Sequence, residues 1–184
     1  MYPPRLKWYD YRWRGCYFVT IVSADRSRSF ARQSGYSLEL TAAGRIIDAT
    51  WAEIPGHFRH VTVDAFVVMP DHVHGIVVLH GMPRTPSRQN LVAAGSLSAI
   101  VRSFKSASTR RINAARGLAV PVWQYRYYDS IIRDREHLRN VRRYIANNPR
   151  KWIRAHGGDR GCVHGSGCGR SDAAPATSDF TDPS

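Results

Sequence analysis

Two histidines one residue apart, His72 and His74, stand in an otherwise apolar stretch that begins at Phe66-Val67-Val68-Met69 and runs on through Gly75 to Leu79. In an extended chain residues i and i+2 project to the same face, so both imidazoles emerge together while Val73 turns away. Two aligned imidazoles can clamp a divalent metal ion when one or two oxygen donors lie nearby. The same pattern serves as a surface pair or as hydrogen-bonded core residues. Asp71 is a candidate extra ligand, but Pro70-Asp71 is also turn chemistry, in which the aspartate caps the turn.

A second candidate lies farther along, in Val141-Arg142-Arg143-Tyr144-Ile145-Ala146-Asn147-Asn148-Pro149. At helical spacing Leu138, Val141 and Ile145 form an apolar stripe, and Tyr144 and Asn148 are i, i+4 neighbours along its edge. A tyrosine hydroxyl can be a covalent nucleophile; with DNA its product is a phosphotyrosine. A free phenol, with a pKa of about 10, attacks poorly. A metal ion that polarises the phosphate answers part of that problem, and Asn148 offers a carbonyl oxygen of the kind hard cations accept. The alternative for Tyr144, one of nine tyrosines, is a boundary core residue. Tyr127 and Tyr128 are rival nucleophiles, set on an expected strand with no oxygen donor at helical spacing.

The charge around these residues is strongly basic. The 184 residues carry 27 Lys and Arg against 14 Asp and Glu, a net charge of +13. Residues 97–154 hold 14 of the cations and 3 of the acids. Such an excess suggests a polyanionic partner, most often nucleic acid. Arg102, Lys105, Arg110, Arg111, Arg126, Arg142 and Arg143 are the candidate DNA contacts, with Arg116, Arg133 and Arg139 beside them. Phosphate contacts of this kind give affinity and salt dependence without sequence information. Some are solvated helix faces. Trp123, Tyr125, Tyr127 and Tyr128 interleave with the cations; exposed rings there could stack unpaired bases, and rings packed under a helix could not.

Several classes are excluded or disfavoured. No apolar run is long enough to span a bilayer. No apolar segment follows Met1-Tyr2-Pro3-Pro4 as in a signal peptide. Three cysteines, at 16, 162 and 168, make no disulfide framework and fit a reducing, cytoplasmic setting.

Periodicity supplies the elements that must position the candidates. Cys16 to Val22 reads as a strand, Asp25 to Ser34 as a loop, and Thr41 to Ile54 as a helix ended by Pro55-Gly56. Val61 to Met69 and His72 to His80 read as a hairpin pair of strands, and Pro83 to Gly95 as a loop. Ser96 to Arg116 reads as a helix stopped by Gly117, Tyr127 to Ile132 as a strand, and Arg135 to Asn147 as a helix closed by Pro149. The order matches a ferredoxin-like βαββαβ palm in the α+β class: a four-stranded antiparallel sheet with helices on one face, plus a C-terminal helix bearing the tyrosine. RNA-recognition domains share that layout, which does not give function. One domain is expected over 1–154. Residues 155–184, rich in Gly, Ser, Ala and Asp, read as a disordered tail; Cys162, His164 and Cys168 in it fall short of a zinc knuckle.

Taken together, the blocks resemble a known family. Phe66 to His74 resembles the signature of the single-tyrosine HUH transposases: His, a bulky apolar residue, His. Leu97 to Lys105, Val122-Trp123-Gln124 with Tyr127 to Arg133, and Tyr144 to Pro149 resemble the blocks that follow it. Their order and spacing resemble the REP-associated tyrosine transposases over roughly residues 12–154.

By this resemblance His72, His74 and Asn148 are metal ligands for Mg²⁺ or Mn²⁺, and Tyr144 is the nucleophile. The resemblance implies an endonuclease and strand transferase acting on single-stranded DNA at palindromic-repeat hairpins through a 5′-phosphotyrosine. Its partner is DNA and no membrane, its place the nucleoid in the cytoplasm, and monomer or homodimer stays open. The alternative is a non-cleaving binder of hairpin or single-stranded nucleic acid. A nickase of the replication-initiator type is a third reading, disfavoured by the small size.

Overall fold

The computed structural model of the protein describes residues 14–81 and 95–156. In chain order the elements are β1 (Gly15–Val22), β2 (Ala31–Ser34), β3 (Ser37–Leu40), α1 (Ala42–Ala52), α2 (Ile54–His57), β4 (Val61–Val68) and β5 (His72–Leu79), followed by α3 (Leu97–Arg116), β6 (Tyr128–Ile132) and α4 (Arg135–His156). β4, β5, β1 and β6 form one antiparallel sheet in that order. This is the ferredoxin-like arrangement. The expected tail and the cysteines at 162 and 168 lie outside the described residues. Among those described, no helix is long and apolar enough to cross a membrane.

Both sheet faces are apolar, which is why the strands read as near-continuous hydrophobic runs. Val19, Ile21, Val73 and Val77 point to one face and pack under Ile47 and Trp51 of α1 and Ile100 and Phe104 of α3. Phe18, Ile76 and Ile132 point to the other and meet Val141 and Ile145 of α4. The two palm helices share one face, and the C-terminal helix takes the opposite one.

Local chemistry sets the ends. The Thr41 hydroxyl accepts from Gly44 N at 3.1 Å and starts α1; Ser96 likewise accepts from Ala99 N and starts α3. Gly117, at a φ of 63°, closes α3 in the left-handed region.

Three expectations need correction. Asp25 to Ser34 is not wholly loop: Ala31–Ser34 pairs with Ser37–Leu40, because Gly35, at a φ of 59°, supplies the left-handed residue a tight hairpin needs. The first helix ends at Ala52, and Ile54–His57 forms a separate turn. Pro55 sits in its first turn, where a missing N–H is harmless. The last helix does not close at Pro149 but runs on to His156. Pro149 removes only the hydrogen bond to the Ile145 carbonyl. The turns beyond it are held by Trp152, which stacks on His156 at 4.4 Å and lies under the Arg28 guanidinium at 5.4 Å.

β4 departs from regular pairing between Val63 and Phe66, a β-bulge. Val63 and Phe66 pack on the α1 side, and Ala65 and Val67 on the α4 side. The Asp64 carboxylate in the bulge takes three hydrogen bonds from the Arg142 guanidinium on α4, the shortest 2.5 Å. That guanidinium holds the carboxyl below its ordinary range.

Gly75 allows β5 to pass beneath α1. A Cβ there would stand 2.4 Å from Trp51 Cζ2 and 2.9 Å from Phe66 Cδ2. Gly75→Ala is expected to lower stability by about 1–3 kcal/mol, the usual range for overpacking. A urea titration showing an unchanged midpoint would refute this account of the packing.

Candidate active site

His72 and His74 begin β5 directly after the turn at Pro70-Asp71, which Met69 N closes by donating to His72 O at 2.8 Å. Their Nε2 atoms converge to 3.1 Å, with ring planes 72° apart. Each Nδ1 is tied to an oxygen: His72 Nδ1 to Asp71 Oδ1 at 2.6 Å, and His74 Nδ1 to Thr20 Oγ1 at 2.8 Å. Such bonds orient an imidazole and leave its Nε2 to act.

The two histidines differ in environment. His74 is 4% exposed and stacks on Phe18 at 5.3 Å. Burial, and then the neighbouring His72, push its pKa down to about 3, with Asp71 opposing. His74 is therefore neutral at neutral pH, the state in which imidazole can donate a lone pair. His72 keeps 21% of its side chain exposed.

α4 brings Tyr144 to this pair. Its ring lies 5.3 Å from the His74 ring and 5.8 Å from Phe18, edge-on to the latter at 89°. Tyr144 is half-buried, at the margin of the apolar cluster formed by Val141 and Ile145. Asn148, one turn on, is also half-buried and donates its Nδ2 to the Tyr144 carbonyl at 2.9 Å. Its Oδ1 is the acceptor end. Among the described residues no group of three or more His, Cys, Asp or Glu is placed to hold a metal ion.

Comparison with known proteins fits this arrangement. No family model matches the chain. It is 33% identical over 158 residues to an uncharacterised Haemophilus influenzae protein, covering 80% of this chain and 87% of that one. It is 28% identical over 143 residues to another H. influenzae protein that carries the provisional name REP-associated tyrosine transposase, covering 77% and 74%. The chain is similar in sequence and in fold to REP-associated tyrosine transposases. The fold agrees. The structure of a REP-associated tyrosine transposase bound to a REP hairpin superposes with a TM-score of 0.52 at 22% identity, covering 80% of this chain and 74% of that one.

The basic residues divide by location. Arg102 and Arg110 are exposed on α3 and line an open groove of about 540 Å³ with Phe58, Ser103 and Ser106. α3 packs on the sheet face away from the histidines. Arg126 and Arg143 are exposed. The other three are engaged within the protein. Arg111 forms a two-pronged pair with Glu53 and reaches Thr50 at 3.1 Å. Arg142 holds Asp64. Lys105 Nζ donates to the carbonyls of Gln124, Tyr125 and Arg126 at 2.8, 3.1 and 3.1 Å. Burial brings the Lys105 pKa down to about 8.

The aromatics divide as well. Trp123 is buried and donates Nε1 to Ser108 Oγ at 2.9 Å, and Tyr127 is half-buried with its hydroxyl 3.1 Å from Ser98 Oγ. Tyr125 is 98% and Tyr128 52% exposed. Cys16 is half-buried, and its thiol is pushed up to about 11, mainly by burial, which leaves it a poor nucleophile.

One member of the site was missed in the sequence. Thr20 is separated from His74 by 54 positions and meets it only through strand pairing. The signal was a lone threonine inside the apolar run Phe18 to Val22. Asp71 read as a turn cap or an extra ligand; its carboxylate lies 2.6 Å from His72 Nδ1 and orients that ring.

The placement of Lys105 yields a prediction. Lys105→Met is expected to cost about 1.5–3 kcal/mol of folding stability, the range for hydrogen bonds from a charged group. The exposed Arg102→Ala should stay within about 0.5 kcal/mol of wild type. Equal losses in chemical denaturation would contradict the division into engaged and exposed cations.

Proposed function

We propose that this protein cleaves and rejoins single-stranded DNA beside hairpins of palindromic repeats, with Tyr144 as nucleophile and a divalent metal ion, Mg²⁺ or Mn²⁺, held by His72, His74 and Asn148. The observation that carries the reading is the approach of the Tyr144 ring to within 5.3 Å of a buried imidazole whose Nε2 faces that of His72. Similarity to a protein named as a REP-associated tyrosine transposase supports the reading, as does the REP hairpin bound to the solved transposase of like fold.

The donor set fits a metal ion. Two Nε2 atoms 3.1 Å apart, on rings each tied to an oxygen through Nδ1, stand at the spacing of two ligands on one cation. Asp71 and Thr20 hold the rings in that orientation, and Asn148 adds an amide oxygen of the type Mg²⁺ and Mn²⁺ accept. Bound there, the ion would polarise the phosphate and stabilise its developing charge.

The remaining chemistry belongs to the chain. The Tyr144 oxygen attacks the phosphorus and loses its proton to solvent. The bond from phosphorus to the 3′ oxygen breaks, and that oxygen takes a proton from water. The 5′ phosphate stays on Tyr144, and a free 3′ hydroxyl remains. Attack by the 3′ hydroxyl of another strand reverses the step. Each event exchanges one phosphodiester for another, so no nucleotide cofactor is consumed. The exposed Arg102, Arg110, Arg126 and Arg143 supply phosphate contacts, while Lys105, Arg111 and Arg142 support binding indirectly by holding the fold. A module that binds hairpins without cutting is the competing reading; the positive charge serves it equally.

End-labelled hairpin DNA with a single-stranded flank tests the proposal. Wild type with Mn²⁺ is expected to give a protease-sensitive shifted band under denaturing conditions, abolished by EDTA and absent in Tyr144→Phe, which still binds. A band that persists in Tyr144→Phe rules this residue out as the nucleophile. Binding by wild type with no band at all favours the non-cleaving module.

The metal site has its own test. Thr20→Val removes the oxygen from His74 Nδ1 while keeping shape. Calorimetry should show Mn²⁺ affinity reduced by about 10- to 100-fold, as for loss of an orienting partner. An unchanged affinity would mean that Thr20 does not orient a ligand.

A further inference from the structure

The exposed ring of Tyr128 sits in a structural row with the candidate active site. In the antiparallel sheet Thr20 is directly opposite His74 on one side and directly opposite Tyr128 on the other. Directly opposed residues of antiparallel strands project to the same face. His74, Thr20 and Tyr128 therefore stand side by side on the face that α4 crosses. Tyr128 lies two strand spacings from His74, about 10 Å. α4 starts beyond β6 and meets β4 through Arg142 and Asp64, and Tyr128 keeps 52% of its surface exposed.

The chain places this ring with care. β6 is an edge strand, and Lys105 holds the carbonyls of the three residues from 124 to 126 just before it. Tyr127, pointing to the opposite face, is anchored at Ser98 and lies under the Lys105 ammonium at 5.7 Å. Arg126 and Arg133 are exposed at either side of the strand. An exposed aromatic ring on a rigid strand, flanked by cations, is the construction on which unpaired bases stack.

We infer that Tyr128 forms a stacking subsite for one unpaired nucleobase of a DNA strand, next to the phosphate that Tyr144 would attack. The inference rests on the proposed cleavage reading for its position in the strand, but stacking itself needs no cleavage. An aromatic face accepts any base, so the subsite positions the strand without selecting its sequence.

The test is a set of single-stranded oligonucleotides in which 2-aminopurine replaces one base at a time, bound to the full-length protein in EDTA. Wild type is expected to quench the probe at one position near the cleavage site. Tyr128→Phe should keep that quench. Tyr128→Leu should lose it and weaken binding by about 5- to 150-fold, the range for one stacked base. Circular dichroism of Tyr128→Leu guards against misfolding, and the Phe variant carries the test if that protein fails. The subsite is overturned if Tyr128→Leu retains the quench, if Tyr128→Phe loses it, or if wild type quenches no probe. A parallel assay for the Tyr144 adduct separates the two ideas. Quenching that depends on Tyr128 without an adduct overturns cleavage alone. An adduct without that dependence overturns the subsite alone.

Discussion

The pairing of β1 with β5 is the constraint on which the site depends. It sets Thr20 opposite His74, and a one-residue slip of either strand would leave the two side chains on opposite faces of the sheet. In the observed register the Thr20 hydroxyl holds His74 Nδ1 at 2.8 Å, and the ring is stacked on Phe18. The imidazole is thereby buried, neutral and fixed in rotation. Several features protect this register. Tyr17, Val19 and Ile21 are fully buried on one face, Phe18 and Ile76 are buried on the other, and Gly75 lets Trp51 close over the strand.

The fold uses its two faces differently. The α1 and α3 side is a large apolar core that fixes the sheet. The α4 side has a smaller apolar cluster, and beside it lies the polar row of Thr20, His72 and His74. α4 is docked by Val141 and Ile145, by the ion pair of Arg142 with the bulged Asp64, and beyond Pro149 by Trp152. These attachments lie on both sides of Tyr144. Its ring is thus held against His74 by a helix restrained along its length, which is what a catalytic geometry needs to be reproducible.

Charge in this protein has two separate uses. Engaged cations such as Lys105, Arg111 and Arg142 bind carbonyls or carboxylates of the chain and keep loops and helices in place. Exposed arginines on α3, on α4 and before β6 create the positive field that attracts a polyanion. Net charge measures their sum and cannot apportion it. This is why the charge of residues 97–154 pointed to nucleic acid but did not identify which side chains are available to it.

Much of the architecture was legible in one dimension, because it follows from periodicity and local capping. The alternation around His72-Val73-His74 set two imidazoles on one face, and the spacing of Val141, Tyr144, Ile145 and Asn148 set a tyrosine at the margin of a helix stripe. Ser96 and Gly117 marked the ends of α3. Tertiary structure alone decided what is joined across distance. Thr20 meets His74 because two strands pair, Asp64 meets Arg142 because a bulge faces a helix, and α4 continues past Pro149 because Trp152 finds Arg28. Tyr144 approaches His74 for the same reason. Such contacts depend on register and docking, which are set by packing the whole chain, and no local pattern of residue types contains them.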